Sequence, residues 1–239
     1  MSSMHPLDRP IWHALTTRQA DLAIGEGPAR RFKPDYAPFA AAADDSPESL
    51  RALADLIGPA DSVMLLQRGE SPLPPGTSVE SAGFGLQLLF DKLPPEQVGI
   101  ETARSEAPVE KLGEANAAEI FDLAQRTQPG PFRARTHQLG DFYGIRRGGQ
   151  LVAMAGERMK LDGYAEVSGV ATDPHFRGRG YAAQLTLAVV EAILARGEVP
   201  FLHAYAGNTS AIALYQRIGF VIRCPVTVAT LVRAVYPPR

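Results

Sequence analysis

Apolar positions in the second half of the chain follow first the two-residue period of strands and then the 3.6-residue period of helices. Strands are predicted over 142–145, 151–159, 164–172, 199–205, 220–222 and 226–232. Helices are predicted over 114–126 and 180–195, and from an Asn208 cap to Ile218. This alternation predicts an α/β (α+β) architecture.

The first half carries weaker signals. Ser46-Pro47 precedes apolar residues at helical spacing, which predicts a helix over 47–57. Short buried strands are predicted over 63–66 and 86–90, a turn over 82–85, and a loose terminus over residues 1–10. A proline-rich stretch between about Asp91 and Glu110 is the best boundary candidate. It divides the chain into a smaller α/β region, 1–105, and a larger domain, 106–239.

Composition excludes several classes of protein. The net charge of −2, with 24 basic and 26 acidic residues, argues against a nucleic-acid partner or a membrane surface. One cysteine, Cys224, excludes an internal disulfide, and the five histidines lack metal-ligand spacing, so no metal is expected. The first thirty residues lack an apolar run of signal-peptide length. We therefore expect a cytoplasmic protein.

The stretch from Glu166 to Ala182 joins a strand-like run to a helix through the loop Arg177-Gly178-Arg179-Gly180. Free N–H groups at a helix N-terminus bind anions, and glycines let a phosphate approach the backbone. A P-loop needs a Lys after Gly, which this chain lacks, and a dinucleotide fingerprint needs a third Gly, where this chain has alanine. The loop therefore predicts a different phosphate ligand.

Two motifs carry a family resemblance. The loop reads Arg-x-x-Gly-x-Ala at Arg177, Gly180 and Ala182, and it is followed by Asn-x-x-Ala-Ile-x-Leu-Tyr-x-x-x-Gly-Phe from Asn208 to Phe220. Together they resemble the acyl-CoA-dependent N-acetyltransferases of the GNAT superfamily. The resemblance covers residues 110–235 well and 11–105 poorly. It implies a mixed, mostly antiparallel twisted sheet flanked by helices, with the catalytic domain in 106–239 and a degenerate GNAT-like unit as one interpretation of 1–105.

The resemblance also implies the donor, acetyl-CoA, and the residues that bind it. Backbone N–H groups of Gly178, Arg179, Gly180, Tyr181 and Ala182 are expected to hold its pyrophosphate, with Arg177 and Arg179 adding charged contacts. Val170, Ala171 and Thr172 are expected to pair with the pantetheine amides as an added strand would. Asn208 is expected to cap its helix and contact the pantetheine or acyl region. Gly169, inside a strand, predicts a bulge that opens the acyl slot.

The resemblance places two catalytic groups. Tyr215 is expected to be the general acid that protonates the departing CoA thiolate. Glu166 is expected to be the base that takes a proton from the acceptor ammonium, directly or through a water, and Glu157 on the neighbouring strand is the alternative base.

The leading hypothesis is transfer of an acetyl or short acyl group to a primary amine of a small molecule, such as an amino acid or polyamine. The alternative is a non-catalytic acyl-CoA sensor. Acceptor contacts are expected around 131–141 and 146–149, where Arg133, Arg135 and Arg147 could receive a carboxylate. The chain is expected to be a monomer or a homodimer.

Overall fold

The computed structural model describes residues 5–91 and 107–234. Its α-helices are α1 (Pro10–Thr16), α2 (Pro47–Asp55), α3 (Ala117–Thr127), α4 (Tyr181–Ala195) and α5 (Thr209–Arg217). Its strands are β1 (Ala23–Ile24), β2 (Ala29–Phe32), β3 (Ala40–Ala42), β4 (Ser62–Arg68), β5 (Thr77–Phe90), β6 (Glu110–Leu112), β7 (Phe142–Arg147), β8 (Gln150–Leu161), β9 (Tyr164–Thr172), β10 (Val199–Tyr205) and β11 (Phe220–Arg233). None of the helices in these two ranges is long and apolar enough to span a membrane.

Eight strands form the main sheet, in the order β4-β11-β5-β10-β9-β8-β7-β6. Neighbouring strands are antiparallel except β9 and β10, which are parallel. The predicted mixed, mostly antiparallel sheet flanked by helices is therefore confirmed. A second, antiparallel sheet holds β1, β2 and β3.

The predicted boundary near residue 105 lies outside the described residues, and the main sheet contains strands from both sides of it. Strands β4 and β5 precede it, yet β5 lies between β10 and β11 and pairs with both. Neither 1–105 nor 106–239 therefore carries a complete main sheet.

Each face of the main sheet has its own core. On β10, Phe201 packs with Leu7, Ile11 and Phe39, whereas the next residue, Leu202, packs with residues of α4 and α5. Because successive side chains on a strand point to opposite faces, helices α4 and α5 cover one face, and the N-terminal segment with α1 covers the other.

The sequence predicted most elements with small errors at their ends. The helix predicted over 47–57 is α2, and Ser46 Oγ accepts from Ser49 N at 3.2 Å, as expected of a cap. The strands predicted over 220–222 and 226–232 are one strand, β11, with a register shift between Ile222 and Cys224.

Two predictions for the first half are wrong. Residues 82–85 form no turn, because they lie within β5 and pair with β11, which overrides the local preference of the glycines. The predicted loose terminus is ordered from His5 onward, where Pro6–Asp8 forms a short 3-10 helix and Leu7 is fully buried. Residues 1–4 lie outside the described residues.

Candidate active site

The main sheet opens between β9 and β10. Their pairing begins at Tyr164 with Val199 and ends at Glu166 with Phe201. Beyond that point β9 continues along β8, while β10 continues along β5. The space between the diverging strands is a cleft of about 1210 Å³.

A bulge in β9 lies beside this opening. Met154 on β8 pairs with Ala171, and Gly156 pairs with Ser168, so β9 has one extra residue between these pairs. Gly169 within it has a φ of +62°, and a Cβ there would lie 3.0 Å from Cε1 of Phe142. The predicted bulge is confirmed. Bulges bend a strand, which is consistent with β9 leaving β10 here.

The glycine loop lies at one end of the cleft. Gly178 and Gly180 both have a φ of +77°, in the left-handed region that favours glycine, and Gly180 directly precedes α4. At the start of the loop, Asp173 accepts from His175 N at 3.0 Å and pairs with Arg126 of α3. These contacts hold the start of the loop. Residues 180–183, which include the first turn of α4 with its unpaired N–H groups, line the cleft.

The loop side chains have local partners. Arg177 Nε donates to Thr172 O at 3.3 Å, and the Arg179 guanidinium lies 5.2 Å from the Phe176 ring centroid. Tyr181, the first residue of α4, is buried in the core, and its hydroxyl accepts from Arg147 Nε at 2.9 Å. The backbone of Tyr181 can therefore contact a ligand in the cleft, whereas most of its ring is buried in the core.

The segment of β9 that was predicted to bind pantetheine has an edge that no strand among the described residues pairs with. Val170, Ala171 and Thr172 line the cleft, and past Glu166 no strand among the described residues pairs with the edge of β9 that faces β10. On the facing wall Asn208 caps α5, where its Oδ1 accepts from Ala211 N at 3.3 Å. The predicted cap is confirmed.

Tyr215 lies in α5 on the cleft wall and packs edge-on against Phe220, with ring centroids 6.0 Å apart. The residue is 9% exposed, and burial raises the pKa of its phenol to about 12. Within 5–91 and 107–234 its hydroxyl has no hydrogen-bond partner. The phenol therefore stays protonated at neutral pH and is free to donate into the cleft.

Glu166, the predicted base, does not line the cleft. It is fully buried, and it accepts from Arg158 Nη2 at 2.6 Å and Nε at 2.8 Å, and from His203 Nδ1 at 2.7 Å. Burial raises the pKa of its carboxyl, but Arg158 and then His203 outweigh burial and lower the pKa to about 2. Both of these partners line the cleft. Glu166 is thus an ionised group behind the wall, not a free base in the cleft.

The hydrogen bonds continue across the sheet. Gln87 Nε2 donates to His203 Nε2 at 2.9 Å and to Leu7 O at 2.8 Å, and its Oε1 accepts from Arg223 Nη1 at 2.8 Å. Because Leu7 O can only accept and Arg223 can only donate, the Gln87 amide has one possible orientation. That orientation makes His203 a donor at Nδ1 and an acceptor at Nε2.

We call the chain of Arg223, Gln87, His203, Glu166 and Arg158 the polar relay. Its members lie on five strands that are adjacent in the sheet, β11, β5, β10, β9 and β8. The His203–Glu166 bond joins β10 to β9 at their last pair, where the cleft begins. The sequence analysis missed Arg158, His203 and Gln87. Each of these three is a polar residue within a mostly apolar strand, and that was the signal by which the sequence could have revealed them.

Other predicted groups lie elsewhere. Glu157 is fully buried, ion-paired to Arg196 and Lys160 at 2.8 Å each, and does not line the cleft. Among the expected acceptor arginines, Arg135 stacks on Tyr36 at 4.8 Å and Arg147 packs on Tyr181 at 5.3 Å. Neither these two nor Arg133 lines the cleft, whereas Pro131, at the start of the expected acceptor segment, does.

Comparison with known proteins identifies relatives of the chain. The model of the FR47-like protein family matches residues 142–227. Over 83 residues the chain is 36% identical to the N-alpha-acetyltransferase RimI of Mycobacterium tuberculosis, a match that covers 33% of this chain and 51% of that protein. The chain thus spans about half the length of this relative.

Solved structures match over nearly the whole chain. A structure assigned to the GNAT family of acetyltransferases, from Novosphingobium aromaticivorans, is 42% identical with a TM-score of 0.87, and the match covers 97% of this chain and 100% of that one. A GCN5-related N-acetyltransferase from Kribbella flavida shares the fold, with a TM-score of 0.63 at 20% identity and 98% of each chain covered.

Proposed function

This chain belongs to the GNAT family of acetyltransferases, and we propose that it transfers an acetyl or short acyl group from acyl-CoA directly to a primary amine of a small molecule or amino acid. The observation that carries the proposal is the cleft between β9 and β10, with the glycine loop at one end and a free phenol on its wall.

The donor, acetyl-CoA, binds along the cleft. The pyrophosphate binds the N–H groups from Gly178 to Ala182, at the positive end of the α4 dipole. Pantetheine amides pair with the open edge of Val170–Thr172, and Asn208 faces them from the opposite wall. The thioester then lies between the strands, beside Tyr215.

The reaction moves three protons. Once neutral, the amine nitrogen attacks the thioester carbon, the C–S bond breaks, and the thiolate sulfur takes the Tyr215 proton. The second proton of the attacking nitrogen then goes to the Tyr215 phenolate, which restores the phenol. Burial keeps the phenol protonated at neutral pH, so it can donate as negative charge develops on the sulfur.

The acceptor ammonium must also lose a proton. Glu166 remains the proposed base, but because it is buried it acts through His203, the partner that lines the cleft. The proton goes to His203 Nε2, which accepts from Gln87 Nε2 in this structure, so the Gln87 N–H must leave Nε2 first.

Purified protein should release free thiol from acetyl-CoA when an amine panel is supplied, and the product should carry the acetyl group by mass spectrometry. An acyl-CoA sensor would bind acetyl-CoA in calorimetry and release no thiol above the amine-free rate. That second outcome would reject the proposed enzyme.

Gly180→Leu should abolish acetyl-CoA binding in calorimetry, because a side chain at Gly180 would occupy the space the pyrophosphate needs beside the first turn of α4. Gly163→Leu is the control, since Gly163 has the same φ of +77° and open space around its Cα. Both variants carry the backbone strain, but only Gly180→Leu should lose the ligand. Equal affinities in the two variants would contradict the assigned phosphate loop.

A further inference from the structure

We propose that the acceptor is an α-amino acid with an apolar side chain, and that Arg158 binds its carboxylate. This inference rests on the proposed function and adds the class of its acceptor.

The cleft passes through the sheet. Its lining includes Tyr215 and Ile218, from the core under α4 and α5, and also Phe39 and Leu66, from the core on the other face. The donor occupies the face with α4, where the glycine loop lies. An amine that attacks the thioester carbon must therefore come from the second face.

That second face offers an apolar wall. Strands β4 and β11 and the residue before β3 build this wall. Its side chains are those of Phe39, Met64, Leu66, Val226 and Val228. Four of these five are buried, so the wall is rigid and poorly hydrated. An apolar side chain gains free energy by leaving water for this wall.

The charges around the cleft select against polycations. Of the described residues that line it, none is an aspartate or a glutamate. The second ammonium of a polyamine would lose its hydration here without gaining an anionic partner. The cleft therefore favours an acceptor with a single ammonium group, whose positive charge disappears when the amide forms.

Arg158 supplies a receptor for a negative group. It is 8% exposed, and its Nε and Nη2 are bonded to Glu166, but among the described residues Nη1 has no partner. Its guanidinium is stacked on Phe39, with Cζ 4.8 Å from the ring centroid, which fixes its plane at the edge of the apolar wall. A carboxylate can accept from Nη1 there.

One contact would then orient the whole acceptor. In an α-amino acid the carboxylate and the amine are attached to the same carbon, so a carboxylate on Arg158 holds the amine close by. His203 shares Glu166 Oε1 with Arg158, at 2.7 and 2.6 Å, so the proposed proton acceptor lies beside the same point. The side chain on that carbon is left to the apolar wall.

The test compares kcat/KM for matched acceptors at saturating acetyl-CoA. L-Leucine should exceed 3-methylbutylamine, and L-phenylalanine should exceed 2-phenylethylamine, by roughly 10- to 150-fold, the range of one hydrogen bond to a charged group. Glycine and spermidine should be poor acceptors.

Arg158→Lys should raise the KM for L-leucine and reduce the preference for leucine over 3-methylbutylamine by at least about 10-fold. Arg135→Lys is the control, because Arg135 stacks on Tyr36 away from the cleft, and it should leave the preference unchanged. The preference is the ratio of kcat/KM for leucine to that for 3-methylbutylamine, so a general loss of activity in Arg158→Lys does not affect it. If that variant fails to fold, the same ratio measured for the wild-type protein still tests the inference.

Equal rates for each acid and its matching amine, or a preference for spermidine, would overturn the inference while leaving the proposed function intact. Turnover of glycine with hexanoyl-CoA but not of leucine with acetyl-CoA would also overturn it, since the apolar wall would then hold the acyl chain. Absence of thiol release with every amine would instead reject the proposed function.

Discussion

Tyr215→Phe should lower kcat by roughly 10²- to 10⁴-fold, the usual contribution of a general acid. Burial raises the pKa of this phenol to about 12, so in the folded protein the hydroxyl is protonated across the whole practical assay range. The basic limb of the wild-type pH profile should therefore not come from Tyr215. Because only one oxygen is removed, the affinity for acetyl-CoA in calorimetry should change little.

Tyr143→Phe is the matched control for this variant. Tyr143 packs against the same core, and burial also raises the pKa of its phenol, but it does not line the cleft. Stopped-flow or steady-state thiol release should separate the two variants by at least a hundredfold. Full turnover in Tyr215→Phe would exclude a phenolic acid.

Glu166→Gln should lower the free energy of unfolding at pH 7 by roughly 3–5 kcal/mol, because it leaves the Arg158 guanidinium buried without its counter-charge. The pKa of Glu166 is lowered from 4.5 to about 2, so its ionised form is favoured in the folded state. The stability it contributes is fully present above about pH 4.5 and is lost as the pH falls toward 2. Urea unfolding of both proteins at several pH values measures this.

Glu119→Gln is the control for burial. Arg146 lowers the pKa of Glu119 to about 2 as well, but this side chain is 42% exposed, and water screens the pair. Its loss should cost no more than about 1 kcal/mol. Equal losses in the two variants would show that pairing alone, without burial, sets the contribution of Glu166.

The same Glu166→Gln protein tests the proton path if it remains folded. Loss of the acidic limb in its pH profile supports a base that includes Glu166 and His203. An unshifted profile of undiminished height assigns the proton to another acceptor.

The first half of the chain has a direct part in this site. It supplies Phe39, Met64 and Leu66 to the apolar wall, and β5 supplies Gln87 to the polar relay. Leu7 O fixes the orientation of the Gln87 amide, and Asp8 accepts from Arg223 Nη2 at 2.6 Å. The proposed acceptor site therefore includes residues that lie outside the family motifs.

By itself the sequence determined the local features of the proposed donor site. The glycine loop, the Asn208 cap and the Gly169 bulge are local features, because a left-handed backbone, a cap or an extra strand residue needs only its near neighbours. Local periodicity also located α2, α4 and α5 to within a few residues. The family resemblance of the second motif, from Asn208 to Phe220, singled out Tyr215, and the structure places Tyr215 on the cleft wall.

Only the tertiary structure decided which residues meet at the proposed acceptor site. Pairing of β5 between β10 and β11 joins residues that are far apart in the chain, and no local pattern encodes which strand a glycine-rich segment will pair with. Whether Glu166 faces solvent or Arg158 depends on the register of β8 against β9, where a second shift lies between Glu157 and Lys160. The carboxylate that the sequence analysis assigned as the base is for that reason a buried, ionised link between two residues of the cleft wall.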